Sequence, residues 1–130
     1  MVAISVSDPL DEDLPAIYSA ISTNGGDYTF ELGKRFGIND RPVIDCAVVL
    51  HNGQFHLYSP DNGPLIRIEK RQGQIDEQPG KGIGYHATSK DGLHFTRAAD
   101  VNIDNRFRWL GNAQSDGKVI TFFGNVEHGR

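Results

Sequence analysis

The chain has 130 residues and a mass of 14.3 kDa, room for one hydrophobic core and little more. The 13 Lys and Arg against 17 Asp and Glu leave a net charge of −4 and a pI near 5.6, which argues against nucleic-acid binding, since such proteins present a basic face. No apolar run approaches the roughly 18 residues of a membrane span, the acidic start (Asp8, Asp11, Glu12, Asp13) lacks the basic stretch of a secretory signal, and the lone Cys46 excludes an internal disulfide. A cytoplasmic protein without membrane contact is the expectation.

An apolar share of 38% is ordinary, while 15 Gly make a chain that turns often. Helical periodicity is scarce. A short turn over Asp8 to Leu14 is stopped by Pro15, and from there the chain reads as strands split by turn signals. Ala16 to Ser22 is an apolar run, Asn24-Gly25-Gly26-Asp27 a turn, Tyr28 to Leu32 a strand, and Gly37 to Pro42 a loop. Val43 to Leu50 is apolar except for Asp45, which predicts a strand buried on both faces. Asn52-Gly53 is a hairpin signal, because a type I′ turn needs positive φ at both central residues. Gln54 to Tyr58 returns as its partner. Ser59 to Lys81 is a long polar connection, a mobile segment or a functional lid, in which Ile66 and Ile68 suggest an edge strand. Gly82 to Thr88 and Leu93 to Arg97 flank the turn Lys90-Asp91-Gly92, and Arg108 to Gln114 and Lys118 to Phe123 flank Ser115-Asp116-Gly117. About eight short strands joined by hairpin-type turns predict an all-β, antiparallel fold.

Self-comparison reveals a repeat. Asn52 to Tyr58 aligns with Asp116 to Phe122, which sets Gly117 against Gly53 at an offset of 64 (117 − 53). Ser22 to Phe30 aligns with Ser89 to Phe95 if the first copy holds two extra positions, which sets Phe95 against Phe30 at an offset of 65 (95 − 30). Twice 65 is the chain length. One domain over 1–130 is therefore expected, built as the second half of a four-stranded unit (16–42), one complete unit (43–98) and the first half of another (99–130). A four-stranded sheet repeated about an axis is a propeller blade, and a blade split between the termini is how propellers close their ring.

The segment Asp45 to Tyr58 (DCAVVLHNGQFHLY) resembles the inner-strand hairpin of five-bladed propeller glycoside hydrolases of the arabinanase, xylosidase and levansucrase-like group. Gly82 to Arg97 (GIGYHATSKDGLHFTR) resembles their outer hairpin, Trp109 to Gly124 is similar to the start of the next blade, and the Ser-x-Asp-Gly pieces resemble the Asp-box of sialidase-type propellers. The resemblance covers most of residues 16–124 and implies blade architecture, about two blades per chain. It also implies that Asp45 matches a catalytic carboxylate of those enzymes, whose chemistry requires a second carboxyl group. Their general acid is a Glu before Gly-Pro, and this chain has Asn62-Gly63-Pro64 there. An amide donates no proton to a leaving group; Asp61 or Glu69 could substitute for it, though nothing in the spacing requires either.

Among other residues, Trp109 stands near Arg106, Arg108 and Asn112, an aromatic beside planar donors of the kind that recognise hydroxylated or anionic ligands. Tyr85, Phe107 and Phe123 offer further aromatic faces, each more often core than platform. The candidate ligand-binding set is Asp45, Tyr85, Arg108, Trp109 and Asn112. His51, His56, His86, His94 and His128 show no ligand spacing on one element, and His51 and His56 fall on opposite strand parities, so solvated histidines and no metal are expected. Cys46 reads as a small buried hydrophobe. No cofactor is expected.

Three functional readings compete: a saccharide-binding propeller-type module acting as a homo-oligomer, a glycoside hydrolase-like enzyme with a site completed between subunits, and an orphan structural or interaction protein. Two blades cannot close a ring alone, and open sheet edges associate. A trimer, making six blades, is expected ahead of a dimer, with the N-terminal hairpin pairing with the C-terminal one within the chain or across subunits.

Overall fold

The computed structural model describes residues 2–6, 15–39, 41–61, 83–102 and 107–126, with 2–6, 83, 107–111 and 125–126 described as backbone only. Among these residues there is no helix. The strands are β1 (Val2–Val6), β2 (Ala16–Ile21), β3 (Thr29–Phe36), β4 (Ala47–His51), β5 (Gln54–Pro60), β6 (Ile83–Ser89), β7 (Thr96–Arg97), β8 (Val101–Asn102), β9 (Phe107–Ser115) and β10 (Ile120–Val126). They pair antiparallel throughout, as expected. The expected turn at 8–14, the connection over 62–82 and its suggested edge strand lie outside the described residues.

The strands form three sheets: β1-β2-β3, a central sheet β4-β5-β6-β7 with β8 beside β6, and the hairpin β9-β10. The central sheet is nucleated by the turn the sequence announces, with φ of 52° at Asn52 and 74° at Gly53. That turn sets the register from His51↔Gln54 to Ala47↔Tyr58. The strand does not start at Val43. Asp45 has a φ of 56°, a left-handed conformation that an extended strand cannot contain, so β4 begins two residues later. Nor is the run buried on both faces, since Leu50 is 58% exposed. Val43 is fully buried outside any strand, its N–H donating to the Pro15 carbonyl at 2.9 Å.

Strand alternation separates the two faces of the central sheet. On one, Leu57, Tyr85 and Ala87 pack with Ile17 and Phe36 of the β1-β2-β3 sheet and with Val43. On the other, Val49 and Tyr58 pack with Ala113, flanked by Ile120 and Phe122 of the hairpin. The described residues thus form a stack of three sheets with the complete meander in the middle. This arrangement corrects one expectation and settles another within a single chain only. The N-terminal region holds three strands rather than a hairpin, because β1 occupies the edge of β2 from Val2↔Ala20 to Val6↔Ala16. Among the described residues of one chain, that region and β9-β10 do not pair, since they cover opposite faces of the sheet between them.

The repeat survives with a revised step. Ser22 Oγ accepts from the Gly25 N–H at 2.8 Å and Asn24 Oδ1 from the N–H groups of Gly26 and Asp27, both at 2.9 Å. Ser89 Oγ likewise accepts from Gly92 at 2.9 Å, and Asp91 Oδ1 from Leu93 at 2.8 Å and His94 at 2.9 Å. Gly25 and Gly92 share a φ of 77° and 76°. The two turns therefore correspond residue for residue at an offset of 67 (92 − 25), with no insertion, and Tyr28 corresponds to Phe95. The hairpin centres lie between Asn52 and Gly53 and between Gly117 and Lys118, an offset of 65 (117 − 52). Aligning the Gly residues instead slips the pairing by one, and a one-residue slip exchanges the two faces of a strand. With 65, Leu57 corresponds to Phe122, and each faces the sheet that precedes its own.

Candidate functional site

Polar groups gather where β4 begins and β5 ends. Ser59 Oγ donates to the Ile44 carbonyl at 3.0 Å, so the chain entering β4 runs beside the last residues of β5. This contact brings Asp45 and Asp61 to the same end of the central sheet. Arg41 arrives from the preceding loop, held by the isolated bridge Ile38↔Arg41. Its Nη1 donates to Asp61 Oδ1 at 3.0 Å and Oδ2 at 3.3 Å. Tyr85, only 1% exposed on β6, sends its hydroxyl up from the core to donate to the same Oδ1 at 2.9 Å.

The electrostatics follow from these contacts. Burial, foremost, pushes the Tyr85 phenol above its ordinary value, which keeps the proton it donates to Asp61. Contact with Tyr85 and then the charge of Asp61 hold Arg41 above its ordinary value. The Arg97 guanidinium carbon lies 5.4 Å from the centre of the Tyr85 ring, and Arg97 Nη2 donates to Asp100 Oδ1 at 3.1 Å. Asp61 therefore takes donors on both oxygens, the arrangement of a fixed acceptor rather than of a proton donor. Asp45 is exposed and, among the described residues, makes no hydrogen bond or ion pair. Burial, with the charge of Asp45 added, pushes the Cys46 thiol up to about 12, so Cys46 stays a thiol packed against the core.

The sequence-derived candidates divide accordingly. Tyr85 meets the Asp45 end of the sheet through Asp61. β9 runs parallel to β4 in step with it: His51 Nδ1 lies 2.7 Å from Ser115 Oγ, and Val49 packs with Ala113. The first residues of β9, Arg108 and Trp109 among them, consequently have their backbone at the Asp45 end; their side chains lie outside the described ones. Asn112 is exposed on the outer side of the hairpin, its Oδ1 accepting from the Ala113 N–H at 2.8 Å, so within one chain it does not join the group. Phe123, on that same side, is 51% exposed. Arg41 is the addition that sequence reasoning missed, and Asp61, weighed there only as a stand-in for the general acid, enters as the acceptor that Arg41 and Tyr85 hold. Only the pairing of β4 with β5 puts Asp61 beside the entry to β4.

Three of the five histidines correct an expectation, while His94 is exposed as expected and His128 lies outside the described residues. Across a two-residue turn His51 pairs with Gln54, and Gln54 and His56 alternate onto one face, so His51 and His56 share a face despite opposite parity. His86 joins them opposite Tyr58. His56 Nδ1 and His86 Nε2 are 2.9 Å apart, Tyr58 stacks on His86 with centroids 4.6 Å apart, and Phe122 meets Tyr58 edge-on at 4.7 Å. These rings pack between two sheets and are not a solvated row. Among the described residues no group of three or more His, Cys, Asp or Glu is placed to hold a metal ion.

No helix among the described residues is long and apolar enough to cross a membrane. No protein-family model, curated protein or solved structure matches this chain.

Proposed function

We propose that this chain is a propeller-type binding module for a small saccharide, working as a homo-oligomer, with the end of the central sheet around Asp45, Arg41 and Asp61 as its binding face. The observation that carries the reading is that one end of the central sheet, drawn together by the contact of Ser59 with Ile44, holds both an exposed Asp45, without a partner among the described residues, and an Asp61 fixed by Arg41 and Tyr85. A carboxylate acceptor beside a guanidinium donor is the combination that engages neighbouring hydroxyl groups, and its fixed geometry limits the ordering cost of binding. The backbone of Arg108 and Trp109, near the start of β9, lies at the same end. Asp61, already receiving two donors, favours binding over glycoside hydrolysis, which needs one carboxyl group free to give a proton. A closed trimer is the favoured assembly and a dimer the second choice.

Asp45→Asn tests the site cleanly, because Asn also tolerates the left-handed backbone. The variant is expected to keep the wild-type melting temperature and to lose retention on a glycan array. A wild type that no saccharide retains, or a variant that binds normally but melts earlier, makes Asp45 scaffolding and overturns the assignment.

A further inference from the structure

One type of sheet contact occurs twice in this stack, and among the described residues nothing covers the exposed apolar side chains of the two faces able to make it a third time. The central sheet presents Leu57, Tyr85 and Ala87 to the sheet before it, β1-β2-β3. The hairpin β9-β10 presents Ala113, Ile120 and Phe122, on the face corresponding to that of Leu57, to the sheet before it, the central one. Tyr18 and Ala20 correspond to Tyr85 and Ala87 at the offset of 67 (85 − 18), so β1-β2-β3 carries the corresponding face too. There it points outward, away from buried Ile17, and none of the described residues covers its exposed part: Phe30, in ring contact with Tyr18, is 48% exposed and Leu32 90%. At the other end, Asn112, Gln114, Thr121 and Phe123 form the outer face of β9-β10. In the register with a step of 65 they correspond to Ala47, Val49, His56 and Tyr58, the central-sheet face onto which the hairpin docks.

We infer that the outer face of β1-β2-β3, through Tyr18, Phe30 and Leu32, docks on the outer face of β9-β10, around Phe123, of a second copy of this chain. The occupant is a copy because each open face is the counterpart of one that the chain itself already covers with the other kind of face. The contact is heterologous, so it closes into a ring or runs on. The homo-oligomer proposed above, on which the contact rests, thereby gains its interface.

Sedimentation without sugar tests it. Leu32→Asp and Phe123→Asp each change an exposed residue, and circular dichroism and melting temperature check that each variant folds. The wild type is expected at the trimer mass and each variant alone at the monomer mass. An equimolar mixture is expected to give a one-to-one dimer and nothing larger, because each variant retains the face the other lacks. A wild-type monomer at micromolar concentration, a Phe123→Asp variant at the wild-type mass, or a mixture that stays monomeric overturns the inference. A monomeric wild type that still binds glycan would overturn this contact and leave the saccharide reading standing; an assembled wild type that binds none would do the reverse.

Discussion

At the scale of single residues, the chemistry is set by whether a polar side chain meets a partner. His56 and His86 lie 2.9 Å apart nitrogen to nitrogen, which requires one donor and one acceptor and therefore at least one neutral ring. Burial first, then the charge of His51 on His56 and of His56 on His86, holds both below their ordinary values. His51 with Ser115, Tyr58 and Phe122 are the groups packed around them, and Asp116 faces His51. The folded state resists protonation, so between the lowered values and the ordinary value near 6.5 the unfolded chain binds more protons. The resulting stability is complete above about pH 6.5 and is lost as pH falls below it. Melting temperature is expected to drop from pH 7 to pH 5 in the wild type and to depend less on pH in His86→Gln. An equal drop in both proteins would place the titration elsewhere.

At the scale of elements, turns repeat more faithfully than strands. Asp91 accepts two backbone N–H groups and lies 2.7 Å from His94 Nδ1. His94 first and then these N–H groups hold its carboxyl well below the usual carboxylate range. Asn24 does the same work in the earlier copy of the turn with an amide, and Asp116 caps a third turn through Lys118 and Val119, both at 2.8 Å. One acceptor oxygen in the right place is the requirement, and charge is secondary. Asp91→Asn is therefore expected to melt close to the wild type at pH 7, and Asp91→Ala distinctly lower. Loss of stability in both would mean that the carboxylate charge, through His94, holds the turn. A lowered carboxylate contributes stability above its unfolded value and loses it in acid, so the wild type's margin over Asp91→Ala should shrink at low pH, while Asp91→Asn, with no carboxyl group there to titrate, should not share that loss.

At the scale of the whole molecule, Leu57 is fully buried between the central sheet and β1-β2-β3. Leu57→Ala is expected to cost about 2–5 kcal/mol in denaturant unfolding, whereas Phe123→Ala, at an open face, should leave the isolated chain nearly as stable; equal losses would place both in one core. The sequence alone determined the strand class, the Asn52-Gly53 hairpin and a repeat near half the chain length, because turns are written in local residues whose φ demands act over four positions. It also singled out Asp45, an acid in an apolar run. It did not determine which face each strand buries in β9-β10, since a slip of one position in the alignment reverses that answer and only the observed pairing excludes it. Nor did it reveal β1 on the edge of β2, the convergence of His51, His56 and His86, or the clasp of Asp61 by Arg41 and Tyr85. Those depend on contacts between residues distant in the chain: Arg41 and Asp61 are 20 positions apart, Tyr85 and Asp61 24, and His56 and His86 30. Such contacts form only when strands pair and sheets stack, and burial and pairing are decided there rather than by local propensity.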